Sequence, residues 1–326
     1  MRSIEDREHE FAPESLLMPA PDFSILVVSW NTSQLTRDCL DSLPGSVATE
    51  TSYEAIVVDN GSTDGSVDML RARNDVTLLE NEANVGYAAA VNQAYAHSSA
   101  RLVLLLNSDI VFPPGSLELL VSFLRDHPGV AGVGPLYLNP DGTPQQHHFR
   151  LPTLTSILAN SSRALRVLPG LRGSMRRYRM LDADFSEPLK VEQPSASVLL
   201  LRRAVLPADY LLDEQFPIYF NDVELAHRLA AQGDELWVVP ESRVFHVHGA
   251  STRQLGVSLR RQHLGSLVRY LSLTEPPRNV LLFRIVTFGQ KVVVRLLRRP
   301  GALPLPDLLA ALRGDTGFLP QRPRED

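Results

Sequence analysis

Leu102–Asp109 reads LVLLLNSD, five apolar residues followed at once by Asn107, Ser108 and Asp109. An unbroken apolar run of this length suits a strand buried on both faces of a parallel sheet. In open α/β sheets the carboxyl ends of such strands face the ligand crevice. Asp109 is thereby a candidate ligand for a hard cation, because Mg²⁺ takes one or two protein carboxylates together with substrate phosphate oxygens. The alternative is an Asx turn in which Asp109 only accepts backbone N–H groups.

Working outward, Phe23–Trp30 (FSILVVSW) and Tyr53–Asn60 (YEAIVVDN) read as further strands, with Val76–Glu80 a short third. Helix-like segments over 34–43, 67–73 and 87–98 separate them. Strands alternating with helices at this rhythm indicate βαβ units, a parallel sheet and helices on both faces. Three polar strand ends then gather on one edge: Trp30-Asn31, Asp59-Asn60 and Asn107–Asp109. Trp30 can stack on a base and Asp59 can accept a base N–H. Equally, Trp30 can be a core ring and Asp59 a turn residue. No GxGxxG follows the first strand and no GxxxxGK[ST] occurs, which argues against dinucleotide and P-loop binding.

The totals bound the answer. The 326 residues have room for one large or two ordinary domains, and 44% hydrophobic with 21% charged residues is a soluble globular composition. The net charge of −5 argues against general nucleic-acid binding. A single cysteine, Cys39, excludes an internal disulfide and reads as a small core residue. Residues 1–21 are charged and proline-containing and lack the apolar core of a signal peptide, so a loose tail is expected. No run of 18 apolar residues marks a membrane span. The expected location is cytoplasmic.

Four segments occur in order: VVSWN (27–31), VVDNGSTDGS (57–66), NVGYAAAVNQA (84–94) and LLLNSDIVFPPG (104–115). Together they resemble the inverting family-2-type glycosyltransferases of GT-A fold, rhamnosyltransferase-like members above all, over roughly residues 22–252. The resemblance implies a Rossmann-like, mainly parallel mixed sheet flanked by helices, with a nucleotide-sugar half (22–112) and an acceptor half (113–252). It implies a donor site of Trp30, Asn31, Asp59, Asn84, Gly86, Asn107 and Asp109, with Asp59 on the nucleobase. The Asn107-Ser108-Asp109 element would meet the ribose and the metal-diphosphate. Asn107 stands where many relatives carry Asp, which leaves Asp109 as the main carboxylate on Mg²⁺ or Mn²⁺.

In the second half, residues 116–127 read as a helix, 132–138 and 195–202 as strands, and 139–142 as a turn. The run Gln145-Gln146-His147-His148 reads as a solvated loop, since adjacent histidines on a strand face opposite ways. Residues 162–181 carry six arginines and no acid, which suggests a mobile insertion that either meets diphosphate or is simply solvated. Apolar spacing from Val223 to Ala230 predicts a helix stopped by Gly233, which places Asn221 and Asp222 at its N-terminus. The resemblance makes Asp222 the general base, from the register Asp222, Glu224, Leu225, Arg228; Asn221 replaces the first acid of the family's pair. Leu236–Val239 reads as a strand. By the same resemblance, the His before x-x-G-x-S selects His246 over His248 as a metal ligand.

Residues 253–299 hold ten basic residues and one acid, Glu275, interrupting apolar groups, with Pro276 and Pro277 between two helical segments. Such a basic amphipathic extension can lie on an anionic membrane or pack on the main domain. Residues 300–326, with five prolines, look irregular. The expectation is therefore an inverting transferase with a nucleotide-sugar co-substrate, dTDP-rhamnose favoured and a UDP-sugar next. The acceptor is a carbohydrate or lipid-linked saccharide in surface-polysaccharide synthesis, with peripheral contact to the inner membrane face. The alternatives are a nucleotidyltransferase and a non-catalytic nucleotide-sugar-binding protein.

Overall fold

The computed structural model describes residues 20–161, 168–247, 256–296 and 303–318. The expected tail at 1–19, the arginines at 163 and 166, and the candidate at 248 lie outside them. The first half runs β1 (Phe23–Ser29), α1 (Ser33–Ser42), β2 (Tyr53–Asp59), α2 (Ser66–Arg71), β3 (Thr77–Glu80), α3 (Tyr87–Ala96), β4 (Leu102–Asn107) and β5 (Ile110–Val111). Then come α4 (Ser116–Asp126), β6 (Gly132–Leu138), β7 (Pro144–Gln145), β8 (His148–Phe149), α5 (Leu154–Ser161) and α6 (Pro169–Tyr178). The remainder is β9 (Leu189–Val191), β10 (Gln193–Pro194), β11 (Val198–Arg202), α7 (Asn221–Gln232), β12 (Leu236–His246), α8 (Gly256–Thr274), α9 (Pro277–Leu296) and α10 (Leu305–Ala311).

Strands β3, β2, β1 and β4 are parallel neighbours, as the alternation of strands and helices predicts. The sheet continues through antiparallel β11 to β6, β12 and β5, so it is mixed beyond β4. The unbroken apolar runs are explained by burial on both faces. Ile25, Val27, Leu104 and Leu106 join Cys39, Leu40, Leu117 and Leu120 from α1 and α4 on one side. Leu26, Val103 and Leu105 join Ala90, Val91, Leu225 and Leu229 from α3 and α7 on the other. Cys39 is fully buried, and that burial pushes its thiol up to about 12, which fits a packing residue.

Four expectations are corrected. Strand β12 runs on to His246 rather than stopping at Val239, because its register with β6 shifts between Val239 and Arg243. That bulge absorbs Pro240, which cannot donate to a regular ladder. The run at 145–148 is not a solvated loop: Gln145 pairs with Tyr137, His148 pairs with Pro194, and His148 is buried. Within 162–181, residues 169–178 form α6, which packs on α5. Within 300–326, residues 305–311 form α10, capped by Pro304 and carrying Pro306 in its first turn, where a missing N–H costs no helical bond.

The extension packs on the main body. Leu264, Val268 and Leu271 of α8, Val280 and Phe283 of α9, and Leu308 and Leu312 at α10 share a core with Leu154, Ile157 and Leu158 of α5. The other side of α9 remains uncovered: Leu281, Leu282, Ile285, Phe288, Val293 and Leu296 are exposed. After α10 the chain returns over α8. A Cβ on Gly265 would lie 2.6 Å from the Asp315 carbonyl oxygen, so only glycine permits this approach. Arg261 pairs with Asp307 at 2.9 Å and Asp315 at 2.7 Å. The segment ends with Phe318 against Gly86, where a Cβ would meet the ring at 3.2 Å.

Candidate active site

Parallel pairing aligns the carboxyl ends of three strands: Ser29 faces Asp59 across β1 and β2, and Val28 faces Asn107 across β1 and β4. A cavity of about 400 Å³ opens at this edge. Trp30, Asn84, Asn107, Asp109, Asp222 and His246 all line it, although Asp109 and Asp222 are far apart in sequence.

Asn31, Asp59 and Gly86 are set back from the wall. Asn31 has a φ of 51° and ties two turns together: its N–H donates to Ser62 Oγ at 2.9 Å and its Oδ1 accepts the Thr63 N–H at 2.7 Å. Asp59 is buried, and burial raises its pKa while the Ser62 N–H, 2.8 Å from Oδ1, pulls it back. Its Oδ2 has no hydrogen-bond partner among the described residues. A buried acceptor left open at a strand end is suited to a ligand N–H. Gly86 holds a φ of 94° that opens helix α3, and its N–H donates to Asn84 Oδ1 at 2.9 Å.

Asn107 donates through Nδ2 to Ser197 Oγ at 3.1 Å, and its main-chain N–H donates to the Ser197 carbonyl at 2.9 Å. It thus clamps the end of β4 to the start of β11. Asp109 Oδ1 lies 3.4 Å from His246 Nε2. A carboxylate beside an imidazole nitrogen is a donor set that fits Mg²⁺ or Mn²⁺. Among the described residues no group of three or more His, Cys, Asp or Glu side chains is placed to hold an ion. Substrate phosphate and water would therefore supply the remaining ligands, as is usual for Mg²⁺.

Across the cavity, Phe220 sits in the left-handed region at a φ of 66°, immediately before α7. Such strain in a bulky residue persists only where its surroundings enforce it. Here the Phe220 ring packs against His263 and Tyr270 of α8. Asn221 is buried and donates to the carbonyls of Ile218 at 2.9 Å and Phe216 at 3.3 Å, closing the turn. The next residue, Asp222, accepts the Val223 N–H at 2.9 Å in the first turn of the helix. Burial raises the Asp222 pKa, opposed by the Val223 N–H and by Gln193. A carboxylate with a raised pKa is a stronger base than one in water.

The cavity also has walls that local sequence pattern did not reveal. Tyr87, His147, Phe149, Gln193, Ser195, Ser197 and Tyr219 line it. Burial, followed by the Asp222 and Asp109 charges, raises the Tyr87 pKa and keeps the phenol a neutral donor. Tyr87 lay inside the quoted NVGYAAAVNQA motif, so its place after Gly86 was a usable signal.

Residues 24–188 match the family described as Glycosyl transferase family 2. An N-acetylglucosaminyl-diphospho-decaprenol L-rhamnosyltransferase of Mycobacterium tuberculosis is 31% identical over 219 residues, which is 64% of this chain and 70% of that protein. A mannosyltransferase from Pyrobaculum calidifontis, solved in complex with GDP-Man and Mn²⁺, superposes at a TM-score of 0.51 and 18% identity, covering 89% of this chain and 79% of the other. TarS of S. aureus superposes at a TM-score of 0.50 and 17% identity, covering 90% and 82%. The mixed sheet flanked by helices is thus the GT-A arrangement of known glycosyltransferases. With half of its length matched and a relative of this identity, the chain belongs to glycosyl transferase family 2.

Proposed function

We propose that this glycosyltransferase moves a sugar from a nucleoside-diphosphate donor to an acceptor hydroxyl with inversion, and that Asp222 is the base. The observation that carries this reading is the meeting of Asp109 and Asp222 on one cavity. Trp30 and Asp59 lie at the strand ends suited to the base, and Asn84 and Asn107 border the sugar-phosphate space. Asp109 and His246 would hold a divalent cation, which when bound neutralises charge on the departing diphosphate. Asp222 takes the proton from the acceptor hydroxyl as its oxygen attacks the anomeric carbon. Direct displacement needs one such base and no enzyme nucleophile.

Rhamnose from a dTDP donor is the favoured sugar, because the M. tuberculosis relative is an L-rhamnosyltransferase. A UDP-sugar is the next choice. That relative is named for a decaprenol-linked substrate, which supports a lipid-linked saccharide acceptor here and a role in cell-wall or surface polysaccharide. No helix among the described residues is long and apolar enough to cross a membrane. The exposed apolar side of α9, beside the exposed Arg278, Lys291 and Arg295, supports peripheral contact with an anionic bilayer instead. The test is nucleoside-diphosphate release from dTDP-rhamnose and UDP-sugars, with Mn²⁺ or Mg²⁺, with and without a polyprenyl-diphosphate saccharide. Release that requires the acceptor is expected. A full-length protein that releases none from any donor overturns the reading.

A further inference from the structure

Gln145 lies at the end of a short strand beside the cavity, and a carbonyl decides which way its amide faces. Its Nε2 donates to the main-chain oxygen of His246 at 2.7 Å and to Asn139 Oδ1 at 2.7 Å. A main-chain carbonyl accepts and never donates, so the NH₂ end of the amide must face it. Gln145 Oε1 is thereby turned toward two imidazoles, 2.6 Å from His147 Nε2 and 3.2 Å from His246 Nδ1. An amide oxygen also only accepts, so each of these ring nitrogens meets it as an N–H donor. The two nitrogens themselves lie 3.3 Å apart.

With its proton on Nδ1, His246 presents Nε2 to Asp109 Oδ1, 3.4 Å away. A nitrogen lone pair beside a carboxylate is a pair of donors suited to a divalent cation. A metal-binding histidine usually gives its second N–H to an outer acceptor, which fixes tautomer and ring orientation. Gln145 binds His246 twice, through the ring and through the main chain, so neither can turn alone.

We propose that Gln145 is a positioning residue that holds His246 as the Nδ1–H tautomer, so that Nε2 and Asp109 together form a ready cation site, with His147 sharing the same acceptor. This rests on the reading of Asp109 and His246 as cation ligands. It separates Gln145 from a merely structural strand residue, because backbone pairing with Tyr137 survives any side chain at that position.

Two measurements on the full chain test it. In the metal-free wild type, long-range ¹⁵N–¹H correlation of ¹⁵N-histidine-labelled protein is expected to show His246 with its proton on Nδ1. The signals are assigned by their loss in His246→Gln. Titration with Mn²⁺ alone, followed by the free-ion electron paramagnetic resonance signal, is expected to show weaker uptake by Gln145→Leu, by about 10- to 100-fold. Gln145→Glu keeps an oxygen toward the rings but sets a second one against the His246 carbonyl, so it is expected to recover only part of that loss. A wild-type His246 protonated on Nε2, or Gln145→Leu binding Mn²⁺ as tightly as wild type, overturns the proposal alone. A wild type that takes up no Mn²⁺ removes the cation reading itself, and this proposal with it.

Discussion

Gln193 Nε2 lies 3.4 Å from Asp222 Oδ2, so a neutral amide from β10 faces the carboxylate at the start of α7. The amide favours the charged form and partly offsets the burial that disfavours it. Asp222 acts as a base only when ionised, so kcat is expected to fall as pH drops through its raised pKa. Gln193→Leu removes the offset and is expected to move that acid limb to higher pH. A kcat–pH profile of the two proteins checks it.

Asp222→Asn keeps the shape and removes the base. Transfer is expected to drop by about 10²- to 10⁴-fold, the usual worth of a positioned acid–base group. Donor affinity, read by calorimetry with the nucleoside diphosphate, is expected to stay near wild type, since the residues proposed to hold the donor lie elsewhere on the cavity wall.

Asn221→Asp creates the acidic pair that the family resemblance implies and is expected to harm this protein. The asparagine donates to two carbonyls, and a carboxylate there would face both as a third acceptor. A loss of about 1–3 kcal/mol in urea unfolding is expected, the cost of leaving such buried groups unpaired.

His148 makes acid stability a measurable property. Burial pushes its imidazole down to about 4 from an ordinary 6.5. Between those values the unfolded chain binds the proton and the folded chain does not. Stability is therefore expected to decline as pH falls below about 6.5, by on the order of 3 kcal/mol once pH reaches the folded value. His148→Phe, which keeps a ring against Tyr137 and Phe185, is expected to flatten that part of the urea-unfolding profile.

The outer side of α9 can be tested without disturbing the core. Leu281 is 57% and Ile285 61% exposed, whereas Val280 and Phe283 face α5 and α8. Leu281→Ser with Ile285→Ser is expected to reduce sedimentation with phosphatidylserine vesicles about tenfold while leaving the melting temperature unchanged. Each neighbouring basic residue adds roughly 1 kcal/mol of attraction to such a surface.

Much of the fold was legible because it is local. LVLLLNSD states a strand buried on two faces, and that burial is met by α1 and α4 on one side and α3 and α7 on the other. Asp109, Trp30 and His246 were legible as cavity-lining positions because motif and strand end coincide, and Asp222 because motif and helix start do. The wall formed by His147, Phe149 and Gln193 was not. Phe149 and Gln193 sit on strands of two residues each, too short to show a period, His147 lies in the link before β8, and β8 and β10 find each other across more than forty positions. The contribution of α5 to the core under α8 and α10 was equally hidden, since amphipathic helices do not state which partner covers them.

The return of the chain to Gly86 changes what a shortened protein would be. Cutting near residue 252, at the boundary that family resemblance suggests, would strip Leu154, Ile157 and Leu158 of their cover and take away the rings that press on Phe220. It would also withdraw the Phe318 ring from Gly86, the residue that opens α3. The smallest piece worth expressing therefore extends through Phe318.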